Sequence, residues 1–296
     1  MKVSEIMKER MSVSFEVFPP KMDKPVEPLF ETIEKLYGFE PDFISCTYGA
    51  GGTNKGRQSE ILKYLADGGR TVPVAHYTCI GNSREDILGL VREYRRLGIG
   101  SFLALRGDFP QGWEGTGGAF DYGCQLIAFL RENFPELELA GGCYPEKHLK
   151  AANMAQEIAI LKLKQDAGAD FFMAQLCHDI DNFCRYREMA ARAGVTAPID
   201  FGLMPVLAKD ATLRMALSNG CSIPKELAEV IGKYGEDPDA FKEAGKEFTV
   251  RQIERLRAEG VAGIHIYTLN RFRDVADIVK ASGLRAYTAP SKPENE

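Results

Sequence analysis

The stretch Ser12-Val-Ser-Phe-Glu-Val-Phe-Pro-Pro20 reads as a short strand with a carboxylate inside it. Strand alternation puts Ser14, Glu16 and Phe18 on one face and Phe15 and Val17 on the other. An amphipathic stretch follows, Pro28–Tyr37, with Leu29, Ile33 and Leu36 on one side. This β-then-α unit recurs along the chain. Further short segments rich in Val, Ile, Phe, Tyr or Leu are predicted as strands at Phe43–Tyr48, Val72–Thr78, Ser101–Arg106, Leu137–Cys143, Asp170–Leu176, Ile199–Pro205 and Gly263–Leu269. Helical periodicity fills most gaps between them, at Arg57–Ala66, Arg84–Leu97, Leu149–Ala167, Asp181–Ala193, Asp239–Glu259 and Arg271–Ser282. Glycines punctuate the helix ends, at Gly68-Gly69, Gly98, Gly168, Gly194 and Gly260.

Strict alternation argues for a parallel sheet. Eight strands with nearly as many helices predict an α/β fold of the closed (β/α)8 TIM-barrel type, in a single domain over residues 1–288. A doubly wound sheet also alternates and stays open at this step. The last residues, 289–296, are expected to be a disordered tail. No composition shift, linker or internal repeat divides the chain.

The 296 residues are 45% apolar and 27% charged, which is ordinary for a globular protein with a sizeable core. A net charge of -5 calls for neither nucleic acid nor an anionic membrane as partner. No apolar run approaches the ~18 residues of a spanning helix, and the N-terminus lacks a signal-peptide core, so the cytoplasm is the expected location. The seven cysteines include no C-x-x-C pair and are expected to be small buried apolar residues. Cys177, His178 and Cys184 match no zinc spacing, and no metal is expected.

The run Gly49-Ala-Gly-Gly-Thr-Asn-Lys-Gly56 fails both common phosphate-loop templates. Asn54 stands where G-x-G-x-x-G needs glycine, and Arg57-Gln58 stands where a P-loop needs Lys-Ser/Thr. It is expected to be a flexible loop on the face where barrel enzymes build their sites.

Polar residues gather at the predicted strand ends. Glu16 lies within an apolar strand, where burial should raise its pKa as a general acid requires, unless a buried Arg or Lys pairs with it. Arg106-Gly107-Asp108 ends the fourth strand. It offers a guanidinium fork, a close backbone approach and a negative charge, or else a tight turn with a surface ion pair. Thr47-Tyr48, His76, Tyr144 to His148, Gln175 and Tyr267 to Arg271 add to the same face. Each alone reads as a satisfied core or turn group, but their convergence on one face favours a site. His265 is expected to be a packed, hydrogen-bonded residue of the last strand.

The ordered motifs SFEVFPP, TYGAGGT, AHYTC, ALRGD, CYPEKH, DAGAD, AQL, GLMPV and IYTLNR resemble those of bacterial methylenetetrahydrofolate reductases, from about Ser12 to about Leu284. The resemblance implies an FAD-containing barrel that passes hydride from NADH or NADPH, through the flavin, to 5,10-methylenetetrahydrofolate, or runs the reverse oxidation. It implies Glu16 as general acid and Asp108 as the acid near flavin and pterin. FAD-contact positions match at Tyr48, Ala50, His76, Arg106, Gly107, Tyr122, Gly123, Tyr144, His148 and Lys164, with Glu157 where the family has Asp. Thr47 matches a nicotinamide contact. Gln175 and Arg271 match folate contacts, with Tyr267 beside them.

Departures from the pattern cluster on one side. Ile160 and Leu163 replace polar FAD contacts, Ala211 and Met215 replace a folate-contact Gln and a stacking Phe, Cys177-His178 replaces an aromatic pair, and Ala174 replaces Thr. A different electron donor or a protein partner fits these departures, as does a modified folate. A homo-oligomer is compatible with the sequence. Two alternatives stand beside the oxidoreductase: a flavin- or folate-binding subunit of a larger complex, and a non-redox barrel lyase or methyl-transfer subunit.

Overall fold

The computed structural model describes residues 2–48, 55–108 and 117–289. Eight strands pair in sequence order and close on themselves, because β1 (Ser12–Val17) is hydrogen-bonded in parallel to both β2 (Phe43–Cys46) and β8 (Gly263–Tyr267). Between them lie β3 (Val72–Thr78), β4 (Ser101–Leu105), β5 (Glu138–Cys143), β6 (Phe171–Ala174) and β7 (Ile199–Leu203). The barrel expected from alternation is the fold observed. Most predicted strands overrun the observed ones by a residue or two at their C-terminal ends. There the ladder yields to single bonds, such as Thr47 N–H to Val17 O at 3.1 Å and Gln175 N–H to Cys143 O at 2.8 Å, and the chain runs on into the loops of the site.

Eleven α-helices occur among the described residues: α1 (Val3–Glu9), α2 (Glu27–Leu36), α3 (Lys55–Gly68), α4 (Arg84–Arg96), α5 (Gly123–Asn133), α6 (Met154–Asp166), α7 (Ile180–Arg192), α8 (Lys209–Asn219), α9 (Lys225–Tyr234), α10 (Pro238–Ala258) and α11 (Phe272–Ala281). Local chemistry sets several boundaries. Ser83 and Asp86 form a reciprocal capping box at the start of α4, and Gly98, with φ of +83°, follows its end. Asp237 caps α10 ahead of Pro238 in its first turn. None of the helices among the described residues is long and apolar enough to cross a membrane.

Four helices, α1, α5, α8 and α9, have no counterpart in the sequence reading. The most consequential is α1. Its Val3 and Met7 enter the bottom of the barrel and pack with Phe43, Val74, Leu103, Ala140, Phe171 and Met173. A larger apolar layer, including Phe15, Ile33, Leu62, Val91, Leu130, Leu161, Phe183, Ile253 and Val279, fills the space between strands and helices. All seven cysteines are free thiols. Cys46, Cys79, Cys143 and Cys177 are buried, and the other three are half-buried. Residues 290–296 of the expected tail, and residues 49–54 of the glycine-rich loop, fall outside the described residues.

A single carboxylate holds α1 in place. Buried Glu138 accepts the Val3 N–H at 3.0 Å, the Ser4 N–H and hydroxyl at 2.8 Å each, and the Ser101 hydroxyl at 2.8 Å. The Val3 and Ser4 donors sit at the positive end of the α1 dipole, and with the Ser101 hydroxyl of β4 they compensate a carboxylate that would otherwise be costly at that depth. Glu138→Ala should leave them buried without an acceptor and lower stability by roughly 2–4 kcal/mol. Urea unfolding checks this. A midpoint unchanged from the parent would show that α1 does not close the barrel floor.

Candidate active site

Above the apolar floor the lumen becomes polar. Alternation along the strands points Ser14 and Glu16 from β1, Ser45 from β2, His76 from β3, Asp200 from β7 and His265 and Tyr267 from β8 into the same space. Glu16 is the centre of this group. Its Oε2 lies 3.5 Å from His76 Nε2 and 3.6 Å from His265 Nε2, with 20% of its side chain still exposed. At those separations the contacts are electrostatic rather than good hydrogen bonds.

The expectation of a raised Glu16 pKa is corrected here. Burial does pull the carboxyl upward, but the two imidazoles outweigh it and hold the pKa below its ordinary value. Its partners are histidines rather than the buried Arg or Lys weighed from sequence. His76 is itself pushed down by burial, with Glu16 opposing.

His265 is the best-held group in the lumen, buried and hydrogen-bonded as expected. Its Nδ1 is 2.7 Å from the Ser14 hydroxyl and its Nε2 3.3 Å from the Ser45 hydroxyl. The ring stacks on Phe43 at 5.4 Å and meets Tyr267 edge-on at 5.6 Å. Ser14, Ser45 and Phe43 fix where His265 presents its second nitrogen to Glu16. Their roles were invisible in sequence because they come from strands far apart along the chain.

The wall between β6 and β7 is built differently. Their backbone pairing ends at Met173 opposite Asp200. Beyond it, Ala174 N–H donates to Asp200 Oδ1 at 3.0 Å, and Ala174 O accepts from the Tyr267 hydroxyl at 2.9 Å. Side chains therefore close this seam. Gly202 is required there, since a Cβ would sit 2.2 Å from Ala174 O and 2.4 Å from the Tyr267 hydroxyl. Asp200 is fully buried, and burial pushes its pKa up to about 7, against the pull of His265 and the Ala174 N–H.

A second cluster stands at the ends of β4 and β5. Tyr144 and His148 meet edge-to-face at 4.7 Å, and the Lys164 ammonium lies 5.6 Å from the Tyr144 ring centre while donating to Gly142 O at 2.6 Å. Glu157 is buried and takes the His148 N–H on Oε2 at 3.1 Å, while its Oε1 has no hydrogen-bond partner. Burial raises the Glu157 pKa and lowers that of Lys164, each opposed by the other's charge. Arg106 and exposed Asp108 act on the same groups. Tyr144 is pushed up to about 12 by burial, then by Glu157 and Asp108. Burial lowers the His148 pKa, and Arg106 and Lys164 lower it further. Gly107, with φ of +93°, also answers an internal need, because a Cβ there would lie 2.6 Å from Ile80 Cγ2.

The loop after β8 is clamped over β1. Thr268 Oγ1 donates to Glu16 O, and the Asn270 amide brackets Phe18, donating to its O at 2.9 Å and accepting its N–H at 3.3 Å. This sets exposed Arg271 at the start of α11, beside the rim that holds Glu16. Gln175 follows β6, half-buried, its Oε1 taking the Leu176 N–H at 2.8 Å. Thr47 is half-buried at the end of β2. Tyr48 is turned away, its ring buried against Tyr77 at 5.2 Å in the layer outside the barrel. Tyr122 is exposed and precedes Gly123, the first residue of α5, so both belong to a helix start that the sequence reading lacked. Ala50 lies outside the described residues. His178 is buried, and burial pushes its pKa down to about 4. No group of three or more His, Cys, Asp or Glu among the described residues is arranged to hold a metal.

The family model for methylenetetrahydrofolate reductase matches residues 2–283. The chain belongs to this family. It is 30% identical over 276 residues to the 5,10-methylenetetrahydrofolate reductase of Escherichia coli, covering 93% of this chain and 92% of that one. It is 31% identical over 295 residues to methylenetetrahydrofolate reductase 1 of Schizosaccharomyces pombe, covering 96% of this chain but only 49% of the relative, so it spans about half of that longer protein. Among solved structures, an uncharacterized Clostridium thermocellum protein that binds two copies of 5-methyl-5,6,7,8-tetrahydrofolic acid superposes with a TM-score of 0.65 at 16% identity, over 96% of this chain and 99% of that one. A 2,3-dimethylmalate lyase superposes at 0.52 with 10% identity, over 99% of this chain and 88% of that one. Both structural likenesses are of fold alone.

The residues that depart from the family pattern differ in exposure. Leu163 is 58% exposed on α6, Ala211 and Met215 are half-buried on α8, and Cys177 and His178 are buried after β6. The seam beside them gives a direct test of the site's packing. Gly202→Ala should drive the Tyr267 hydroxyl off Ala174 O and destabilise the protein by about 1–3 kcal/mol. Thermal unfolding checks it, and a variant as stable as the parent would contradict the crowding described.

Proposed function

We propose that this chain is a flavin-dependent oxidoreductase interconverting 5,10-methylenetetrahydrofolate and 5-methyltetrahydrofolate, with Glu16 as its proton-donating carboxyl. The observation that carries the reading is the placement of Glu16 between two imidazoles at the C-terminal mouth of the barrel, on a chain of this family. A reductive ring opening needs a proton at the folate nitrogen that departs from the methylene carbon. Glu16 holds or releases one according to how far solvent is excluded. Covering its remaining exposure adds to the desolvation that already pulls its pKa upward, so substrate binding itself favours the protonated form.

The second cluster fits FAD. Lys164 and Arg106 supply positive charge for a pyrophosphate, and the partnerless buried Glu157 Oε1 is an acceptor suited to a hydroxyl of the ribityl or ribose chain. Tyr144 and His148 give a flat, partly apolar wall. When bound, FAD supplies hydride-transfer chemistry that no side chain here possesses. Around it, in this reading, Asp108 adds negative charge, Thr47 contacts a nicotinamide, the Gln175 amide a pterin edge, and the exposed Arg271 guanidinium a folate carboxylate. Tyr267 serves by holding the seam rather than by offering its hydroxyl.

NADH or NADPH is the donor that the family pattern implies. A second reading, a protein donor, is favoured by one observation. Leu149 and Leu217 are 59% and 83% exposed, and Leu149 packs against Gly220 at the end of the helix that carries Leu217. Such side chains are what a partner would cover.

Glu16→Gln separates the steps. Reduction of the flavin by its donor should be essentially unchanged, while reoxidation by methylenetetrahydrofolate should slow by roughly 100- to 10,000-fold, the usual weight of a positioned acid. Anaerobic stopped-flow absorbance measures both. Full folate turnover in the variant would remove Glu16 from the role.

A further inference from the structure

On its β8 side, the end of β1 that carries Glu16 is held by side chains more than by the sheet. Pro19 and Pro20, which follow Phe18, bring no N–H that could extend the ladder. Past the paired residues of β8, the Thr268 N–H reaches Glu16 O at a long 3.3 Å. The buried Thr268 hydroxyl takes over, donating to Glu16 O at 2.6 Å and accepting the Asn270 N–H at 3.1 Å. The Asn270 carboxamide serves Phe18 as a neighbouring strand would, accepting its N–H at 3.3 Å and donating to its O at 2.9 Å. The Arg271 N–H closes the turn on Thr268 O at 2.8 Å. Leu269 and Asn270, the two residues inside that turn, both have left-handed φ, +51° and +54°. Asparagine accepts that conformation readily and leucine does not, so these bonds hold the turn in a strained shape.

We propose that Thr268 and Asn270 are positioning residues that lock the Glu16 carboxyl in place for proton transfer by gripping the backbone that carries it. The carboxyl needs such a hold. The imidazole nitrogens beside it, on His76 and His265, stand at 3.5 and 3.6 Å, too long for good hydrogen bonds to fix its pose. Its place is therefore inherited from the β1 backbone, and the Thr268 hydroxyl grips that backbone at residue 16 itself. Asn270 braces the same stretch two residues on, at Phe18, and braces Thr268 through its own N–H. Proton transfer tolerates little slack, since a donor must come within about 2.6–3.2 Å of its acceptor. Loss of either grip would let the acid drift by a distance that matters for chemistry while leaving the barrel closed.

The proposal rests on the oxidoreductase reading for its purpose, but one arm of its test does not. Thr268→Val keeps the shape and deletes the hydroxyl, and Thr268→Ser keeps the hydroxyl. Asn270→Gly keeps the left-handed φ accessible while deleting the Phe18 clamp. In single-turnover mixing of the pre-reduced protein with 5,10-methylenetetrahydrofolate, Thr268→Val should slow flavin reoxidation about 10- to 100-fold at saturating folate, the weight of a displacement near 1 Å. The folate concentration at half-saturation should move little, because the acid is displaced and the binding surface is not. Asn270→Gly should act in the same direction, and Thr268→Ser should restore most of the parental rate. The second arm needs no folate. With only four histidines in the chain, the imidazole signals of His76 and His265 can be followed by NMR in selectively labelled whole protein. Thr268→Val and Asn270→Gly should shift these two, which flank Glu16, and leave those of His148 and His178 in place.

Folded variants that reoxidise at the parental rate overturn the proposal. A slowed rate with the His76 and His265 signals unmoved also overturns it. So does a lowered melting temperature with neither rate nor signals changed, since that is the mark of a merely structural turn. If Thr268→Val fails to fold, Asn270→Gly carries the test by the same criteria. If the two signals move but the parent itself is not reoxidised by the folate, the hold on Glu16 stands and the oxidoreductase reading falls.

Discussion

A carboxylate inside a barrel must be answered by what the neighbouring strands present, and here the answer is imidazole. Glu16 lies between His76 and His265 at 3.5 and 3.6 Å, and the surrounding structure is arranged to keep it there. β1 carries Glu16 and also Ser14, which holds His265. Closure of β1 onto both β2 and β8 brings Ser45 and His265 to the same level. Had the strands formed an open sheet, β1 and β8 would not be neighbours and Glu16 would lose the His265 imidazole beside it. The fold therefore precedes the chemistry in a literal sense.

The same closure imposes a gradient along the barrel axis. At the floor, apolar side chains and α1 pack together, and the buried Glu138 carboxylate is fully satisfied. Higher up, the groups are less completely paired. His76 Nε2, Asp200 Oδ2 and Glu157 Oε1 are buried without hydrogen-bond partners. Unsatisfied buried polar atoms cost stability, and where they face the site ligand binding can compensate that cost. The β6–β7 seam belongs to the same scheme, since a backbone ladder there would exclude the Tyr267 hydroxyl and the Asp200 carboxylate from the bonds they make to Ala174.

The barrel was legible in sequence because each strand is a short β-rich run followed by a helical period or a marked stop. Elements lacking that signature were not. α1 is only seven residues long and mixes charge with its two inward apolar side chains. α8 and α9 have no clean relation to the strand–helix rhythm, being additions between β7 and β8 alongside α10. Among site residues, Glu16, Arg106, Asp108, Gln175 and Arg271 could be picked out by position at strand ends. The direction of the Glu16 shift could not, because it depends on histidines of β3 and β8 whose approach only barrel closure creates. Asp200 was hidden for the same reason. In sequence it is one acid in Ile199–Pro205, and only the geometry shows that it points inward.

A single turnover tests whether this lumen exchanges hydride between a flavin and folate. The purified flavoprotein is reduced anaerobically with dithionite, which needs no nicotinamide site, and is then mixed with 5,10-methylenetetrahydrofolate. Oxidised flavin absorbance should return with formation of an equal amount of 5-methyltetrahydrofolate. A flavin that stays reduced in the presence of the folate, or a protein that takes up no FAD, would contradict it.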